Sequence, residues 1–251
     1  MRSANRKIVV VGATSSIAEH CARYWVKAGD IDLVLVGRDR QRTERVATDL
    51  RVRSPSSRIQ TIQANFAEPD EIADVVRTIV AQGLPDVVLI AHGSLPDQDA
   101  CQQSLALARD ALQVNGVSPV LFAEAFASPM GLAGRGTIAI IGSVAGDRGR
   151  KSNYIYGAAK GLVSRYAEGL QHRLAATGVS IVLIKPGPTD TPMTAELKGR
   201  GARLAPVEDV ARGIVKGIDR GHSTIYVPGK WRWIMLIIRH LPAFIFNKLN
   251  I

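Results

Sequence analysis

The sequence predicts an α/β fold in which a doubly wound parallel sheet carries helices on both faces, and three observations support that expectation. Seven short apolar runs are continuous rather than alternating, and helical patterns separate most of them. The 251 residues, 46% hydrophobic and 22% charged, hold enough apolar material for one sizeable core. A strand buried on both faces has no solvent side for polar residues, and a connection between parallel strands must cross over a face of the sheet.

The elements follow in order. Ile8 to Val11 is the first strand and leads into helical spacing from Ile17 to Ala28. Leu33 to Val36 and Ile59 to Ile62 are the next strands, followed by a helix over Glu71 to Gln82. Val87 to Ala91, the helical run Leu105 to Phe126 and the strand Thr137 to Ile141 continue the alternation. Tyr156 to Ala176, Ile181 to Ile184, Val207 to Arg220 and Ser223 to Val227 complete it. Gly29, Gly83, Gly178 and Gly221 each follow a helical run, where a left-handed residue is expected to close the helix. No repeat or low-complexity linker divides the chain. Residues 1–229 are therefore expected to form one domain, with 230–251 as an apolar, basic C-terminal tail that is no independent domain.

The net charge of +10 points toward polyanions, but the positive residues are scattered and only 5% of the chain is aromatic, so a nucleic-acid partner is not expected. Two cysteines, Cys21 and Cys101, are too few for a disulfide framework or a zinc cluster, and no metal site is expected. The start runs almost directly into the first strand and leaves no room for an apolar signal segment, which predicts a cytoplasmic setting.

The first strand ends in Gly12-Ala13-Thr14-Ser15-Ser16-Ile17-Ala18, and a helix begins within that turn. Free backbone N–H groups and the helix dipole make such a turn an anion site suited to the pyrophosphate of a dinucleotide, as in Rossmann-like sheets. Of the three fingerprint glycines only Gly12 remains. The second strand ends in Gly37-Arg38, where NAD-binding sheets usually place an acid. Arginine instead offers a cationic fork to a ribose 2'-phosphate, so NADP(H) is the expected cofactor and NAD(H) stays open.

Tyr156 and Lys160 are four residues apart at the start of a strong helical pattern, so both side chains lie on one helix face. An ammonium beside a phenol favours the phenolate, and the pair is suited to proton exchange. Ser143 follows the strand ending at Ile141, at the carboxyl edge where open α/β sheets collect ligands.

In these motifs the chain resembles the short-chain dehydrogenase/reductase family from Ile8 to about Gly229. Ser143 lies thirteen positions before Tyr156, as the family's serine does before its YxxxK tyrosine, and Asn115 matches its helix asparagine. The resemblance implies hydride transfer between nicotinamide and a carbonyl or alcohol, with Tyr156 as general acid and Lys160 lowering its pKa and holding the ribose. It also implies that Ser143 polarises the carbonyl, that Asn115 supports a relay water, and that the protein is a homo-oligomer. Pro186, Gly187, Thr189 and Thr191 resemble the segment that binds the nicotinamide carboxamide, with Thr189 in place of the usual valine. Asn65, with Phe66 beside it, replaces the adenine-contacting aspartate. Ile90-Ala91-His92-Gly93 stands for the family's NNAG, with Ala91 and Gly93 facing cofactor and His92 serving as packing or ribose contact. Ser16-Ile17-Ala18 also resembles enoyl reductases, but the tight Tyr156/Lys160 spacing resembles the carbonyl-reducing branch. The eroded glycine turn motivates one alternative, a non-catalytic NADP(H)-binding sensor.

Two further segments bear on substrate. Residues 193–203 carry Lys198, Arg200 and Arg203, which would attract an anionic substrate to a loop that in this family folds over the site. The tail holds Trp231, Trp233 and several Ile and Leu residues among Arg232, Arg239 and His240. Arg239, His240 and Pro242 interrupt it too often for a membrane span, and two readings stay open: an interfacial helix on the inner face of a membrane, or packing against another subunit or the substrate cleft. Tail and loop together faintly resemble reductases of polyprenyl-phosphoryl keto-sugars, which implies a hydrophobic or lipid-linked anionic carbonyl substrate beside the small-molecule class.

Overall fold

Ile8, Val9, Val10 and Val11 are all enclosed, which is why their run contains no polar residue. In the computed structural model, which describes residues 6–199 and 201–249, that run belongs to β1 (Arg6–Val11). The chain continues through α1 (Ser16–Ala28), β2 (Ile31–Gly37), α2 (Arg40–Arg53), β3 (Arg58–Gln63), α3 (Pro69–Ala81) and β4 (Val87–Ile90). Then come α4 (Gln98–Gln103), α5 (Leu105–Leu112), α6 (Ser118–Ala133), β5 (Gly136–Ile141), α7 (Tyr154–Leu174) and β6 (Val179–Pro186). The last elements are α8 (Ala195–Gly199), α9 (Val207–Asp219), β7 (Thr224–Val227), α10 (Lys230–His240) and α11 (Ala243–Phe246).

All seven strands pair in parallel in the order β3-β2-β1-β4-β5-β6-β7. The chain winds outward from β1 in one direction and then returns to wind outward from β4 in the other, so a crevice opens at the carboxyl ends of these two strands. Alternate residues of each strand supply opposite cores. Ile8, Val10, Leu33 and Leu35 pack with Trp25 of α1, Leu50 of α2 and Ile214 of α9. Val9, Val11, Val34 and Val36 pack with Ile79 of α3, Phe122, Phe126 and Met130 of α6, and Val163 of α7. Each fully enclosed side chain of this kind contributes roughly 1.5–3 kcal/mol of burial free energy. The run Leu105–Ala133 is apolar and long enough to cross a membrane by composition alone, but Phe122, Phe126 and Met130 spend that apolarity on the core.

Three expectations change. The predicted single helix over 105–126 is divided by a π-helical turn at Gln113–Val117, which seats Asn115, and it runs on to Ala133. Helix α2 escapes the apolar pattern because charged residues make up half of it, leaving Thr43, Val46, Ala47 and Leu50 as its buried stripe. Gly83 and Gly221 have the expected positive φ, but Gly29 is extended and Gly178 is not left-handed. Gly178 serves close approach instead, since a Cβ there would lie 2.1 Å from the Gly134 carbonyl, and Gly134 is the left-handed residue that closes α6.

The tail folds back on the sheet. Met235 is fully buried, with Trp231, Ile234 and Ile238 half-buried on the same side of α10, while Trp233 and Ile237 point outward. Arg148 fastens the end of α10 by donating to the carbonyls of Ile238 and Leu241, both at 2.6 Å, and its guanidinium stacks 3.8 Å over the ring of Phe246.

Candidate active site

At the end of β1 the chain must turn sharply beneath its neighbour. Gly12 has φ +84°, and a Cβ there would lie 2.6 Å from the backbone nitrogen of His92. Only glycine fits. Gly12 and Ala13 both donate to the Val36 carbonyl, and Ser15 leads into α1 without spending its hydroxyl on a capping bond. Thr14, Ser15, Ser16 and Ile17 then line a crevice of about 300 Å³ that reaches Arg38 at the end of β2. Phe66 is buried edge-on against His92 and Phe122, and Asn65 shares an adjoining recess with Arg38. The Asn65 amide oxygen accepts from Ala67 N–H at 3.1 Å. His92 is held by packing. Its Nε2 lies 2.9 Å from Ser118 Oγ, and burial, with Lys160 and Arg38 nearby, lowers its pKa to about 3, so it stays neutral.

The crevice deepens into a cavity of about 150 Å³ whose walls include Ala91, Gly93, Ser143, Tyr156 and Lys160. Ser143, just past β5, accepts from Ala145 N–H at 3.1 Å and meets the phenol of Tyr156. Tyr156 stands on the first turn of α7, and Lys160 lies one turn on, buried, with Nζ donating to the Ile141 carbonyl at 3.0 Å. Burial raises the Tyr156 pKa and the bond to Ser143 opposes it. The Lys160 Nζ lies 5.9 Å from the phenol ring centroid, and burial brings its own pKa down to about 8. Asn115 is sealed behind it. Its Oδ1 accepts from Ser94 N–H at 2.8 Å and its Nδ2 donates to the Ala111 carbonyl at 2.9 Å, so it fixes the turn after Gly93. A Cβ on Gly93 would come within 2.9 Å of Asn115 Oδ1 and 3.6 Å of Lys160 Nζ.

Against known families, residues 6–200 match the short chain dehydrogenase model. The chain belongs to the short-chain dehydrogenase/reductase family. It is 28% identical over 244 residues to an uncharacterized oxidoreductase of Streptomyces coelicolor, covering 97% of this chain and 96% of the relative. An uncharacterized oxidoreductase of Mycobacterium tuberculosis is also 28% identical, over 246 residues, covering 96% of each. Among solved structures, a short-chain dehydrogenase from Sphingobium yanoikuyae in complex with NADPH superposes with a TM-score of 0.82 at 24% identity, covering 98% of this chain and 96% of that one. A bulky-bulky ketone specific alcohol dehydrogenase from Comamonas testosteroni gives 0.80 at 22%, covering 99% and 96%. At those identities the likeness is one of fold. As a member of this family the protein is an oxidoreductase that works between alcohol and carbonyl and binds a nicotinamide cofactor.

The crevice of this dehydrogenase/reductase fits a dinucleotide on its own features. The turn at Gly12 brings the start of α1 to the crevice, Ser15 there keeps its hydroxyl free of a capping bond, and the far end is cationic. Pro186, Gly187, Thr189 and Thr191 line the cavity opposite Tyr156. Thr189 behaves like the valine it replaces, because its hydroxyl is spent on the Gly187 carbonyl at 2.9 Å.

Four placements differ from sequence expectation or were missed by it. Arg42, which the sequence does not single out, lines the crevice beside Arg38, while the carboxylate of Asp39 is spent capping α2 at Arg42 N–H. Arg150 and Asn153 enter the cavity wall from the loop between Ser143 and Tyr156. From the 193–203 loop, Met193, Thr194 and Leu197 face the cavity, whereas Lys198 turns to Asp190 at 2.6 Å; Arg200 lies outside the described residues. Trp231 packs where a Cβ on Gly187 would stand, 2.0 Å from the indole nitrogen, so the tail braces the cavity wall from behind.

Proposed function

We propose that this protein is an NADPH-dependent carbonyl reductase. The observation that carries the reading is that Ser143, Tyr156 and Lys160 meet at one end of a crevice whose other end presents Arg38 and Arg42. A carbonyl oxygen placed between the two hydroxyls receives a hydrogen bond from Ser143, whose oxygen already accepts from Ala145, and a proton from Tyr156. NADPH, when bound, supplies the hydride. Lys160 places a positive charge near the phenol and the ribose side of the crevice, and Asn115 holds the turn that gives Lys160 its space. Single-turnover mixing with NADPH and a ketone panel tests this reading, since a non-catalytic sensor would bind the cofactor without oxidising it.

Arg38 and Arg42 support the preference for NADPH, because two exposed guanidinium groups at the edge of the ribose pocket suit a 2'-phosphate. Arg38→Asp is expected to weaken NADPH binding about ten- to a hundredfold and to reverse the preference over NADH. Fluorescence titration of both cofactors checks it, and an unchanged ratio would remove the assignment.

For the tail, the outward residues support contact with an anionic lipid surface. Trp233, Ile237 and Phe244 are 65–70% exposed, and no acidic residue follows Asp219, whereas Lys230, Arg232, Arg239 and Lys248 do. The protein is expected to sediment with vesicles of phosphatidylcholine and phosphatidylglycerol and less with phosphatidylcholine alone. The W233S/I237S/F244S variant, which spares the inward Trp231 and Met235, should lose that binding. Equal partitioning of variant and parent would overturn the reading, as would a dimer in solution that the variant dissociates, which would assign the face to a second copy.

A further inference from the structure

Within the cavity wall, Arg150 is out of balance. Its Nε is buried with no hydrogen-bond partner, and its terminal nitrogen reaches only the thioether of Met235 at 3.3 Å, a weak acceptor. Asp147, the acid whose charge acts on Arg150, is already committed: Lys185 Nζ lies 2.5 Å from Oδ1, and Tyr226 donates to Oδ2 at 2.9 Å. Burial depresses the Arg150 pKa and Asp147 only partly opposes that. Asn153, whose backbone N–H closes a turn onto the Arg150 carbonyl, also lines the cavity with its side-chain oxygen buried and unpartnered. A partly desolvated guanidinium with its Nε unpartnered is costly, and an incoming oxyanion is the partner that would offset that cost.

We infer that Arg150, with Asn153 beside it, forms an anion subsite of the substrate pocket, and that the substrate is a ketone carrying a carboxylate or phosphate group on an apolar body. The apolar body follows from the rest of that wall, which Leu95, Met193 and Leu197 supply. The subsite faces the same cavity as Tyr156 and Ser143, so the carbonyl and the anion belong to one molecule. The inference rests on the carbonyl-reductase reading for the identity of the ligand as a ketone.

The test compares 4-acetylbenzoate and 4-acetylphenyl phosphate with the methyl ester of the former, using NADPH-loaded wild type, Arg150→Met and Arg150→Lys, each first shown to keep the parental melting temperature. Wild type should favour the anionic ketones in kcat/KM, Arg150→Met should cut the anion-to-ester ratio about ten- to a hundredfold, and Arg150→Lys should recover part of it. A ratio unchanged in Arg150→Met overturns the subsite, and a carboxylate preferred over phosphate, or the reverse, tells which oxyanion it takes. Calorimetric binding of 4-acetylbenzoate to the NADP-loaded protein separates this from failure of the reductase reading. Binding lost in Arg150→Met upholds the subsite even if no ketone is turned over, and absence of binding to wild type overturns it.

Discussion

Tyr156→Phe is expected to lower kcat for ketone reduction by roughly 10²- to 10⁴-fold while NADPH affinity falls far less. The variant keeps the ring and its packing on the first turn of α7 and removes one oxygen. That oxygen meets Ser143 and has its pKa raised by burial, so the phenol holds its proton across the neutral range and is in the form that reduction consumes. Without it, the developing alkoxide has only the Ser143 hydroxyl and no proton within reach. Ser143→Ala removes the other hydroxyl and should cost less, because the acid survives. Steady-state rates with NADPH in excess, alongside cofactor titration, check the prediction. Equal turnover in Tyr156→Phe and wild type would take Tyr156 out of the mechanism.

Much of this arrangement is legible in the sequence because the sheet leaves little freedom. Runs such as Ile8 to Val11 must be apolar at every position when both faces are covered, and Tyr156 and Lys160 share a helix face by their spacing alone. Long-range placement is less legible. Arg42 is one of many charges in α2, and Arg150 sits in a Gly- and Arg-rich loop whose cations all look solvated until the fold turns that one toward the cavity. Trp231 and Trp233 look equivalent in an amphipathic tail, yet one fills the space left by Gly187 and the other faces outward. The π turn at Asn115 had one signal, an Asn-Gly pair inside an otherwise apolar helix, which marks a place where backbone regularity gives way to a buried polar contact. The exact seat of the Lys160 amine was not legible either. Sequence spacing puts the two residues on one face, but the ammonium is drawn to the Ile141 carbonyl.

Lys160→Met should abolish most activity and at the same time remove a pH-dependent burden on the fold. The amine is 2% exposed, and burial lowers its pKa from 10.5 to about 8. The unfolded chain therefore binds the proton more tightly than the folded one. Below pH 8 the folded state carries the full cost of the buried charge, about 3 kcal/mol; between 8 and 10.5 the folded protein sheds the proton that the unfolded chain retains, so stability rises with pH in that window. The methionine variant has no such group. Its stability relative to wild type should thus be highest near pH 7 and should shrink by about 2 kcal/mol by pH 9.5, whatever constant cost the unpartnered Ile141 carbonyl adds. Urea unfolding of both proteins at the two pH values measures this directly, and a difference independent of pH would show that burial leaves the amine titrating as it does in the unfolded chain. Activity runs the other way: with the charged amine as the working form, kcat/KM of wild type for reduction falls as pH rises through about 8, and the variant loses about 10²-fold or more at pH 7. A residue that weakens the fold at the pH where it is needed for turnover is best explained by what it does in the cavity, because the core alone would favour the methionine.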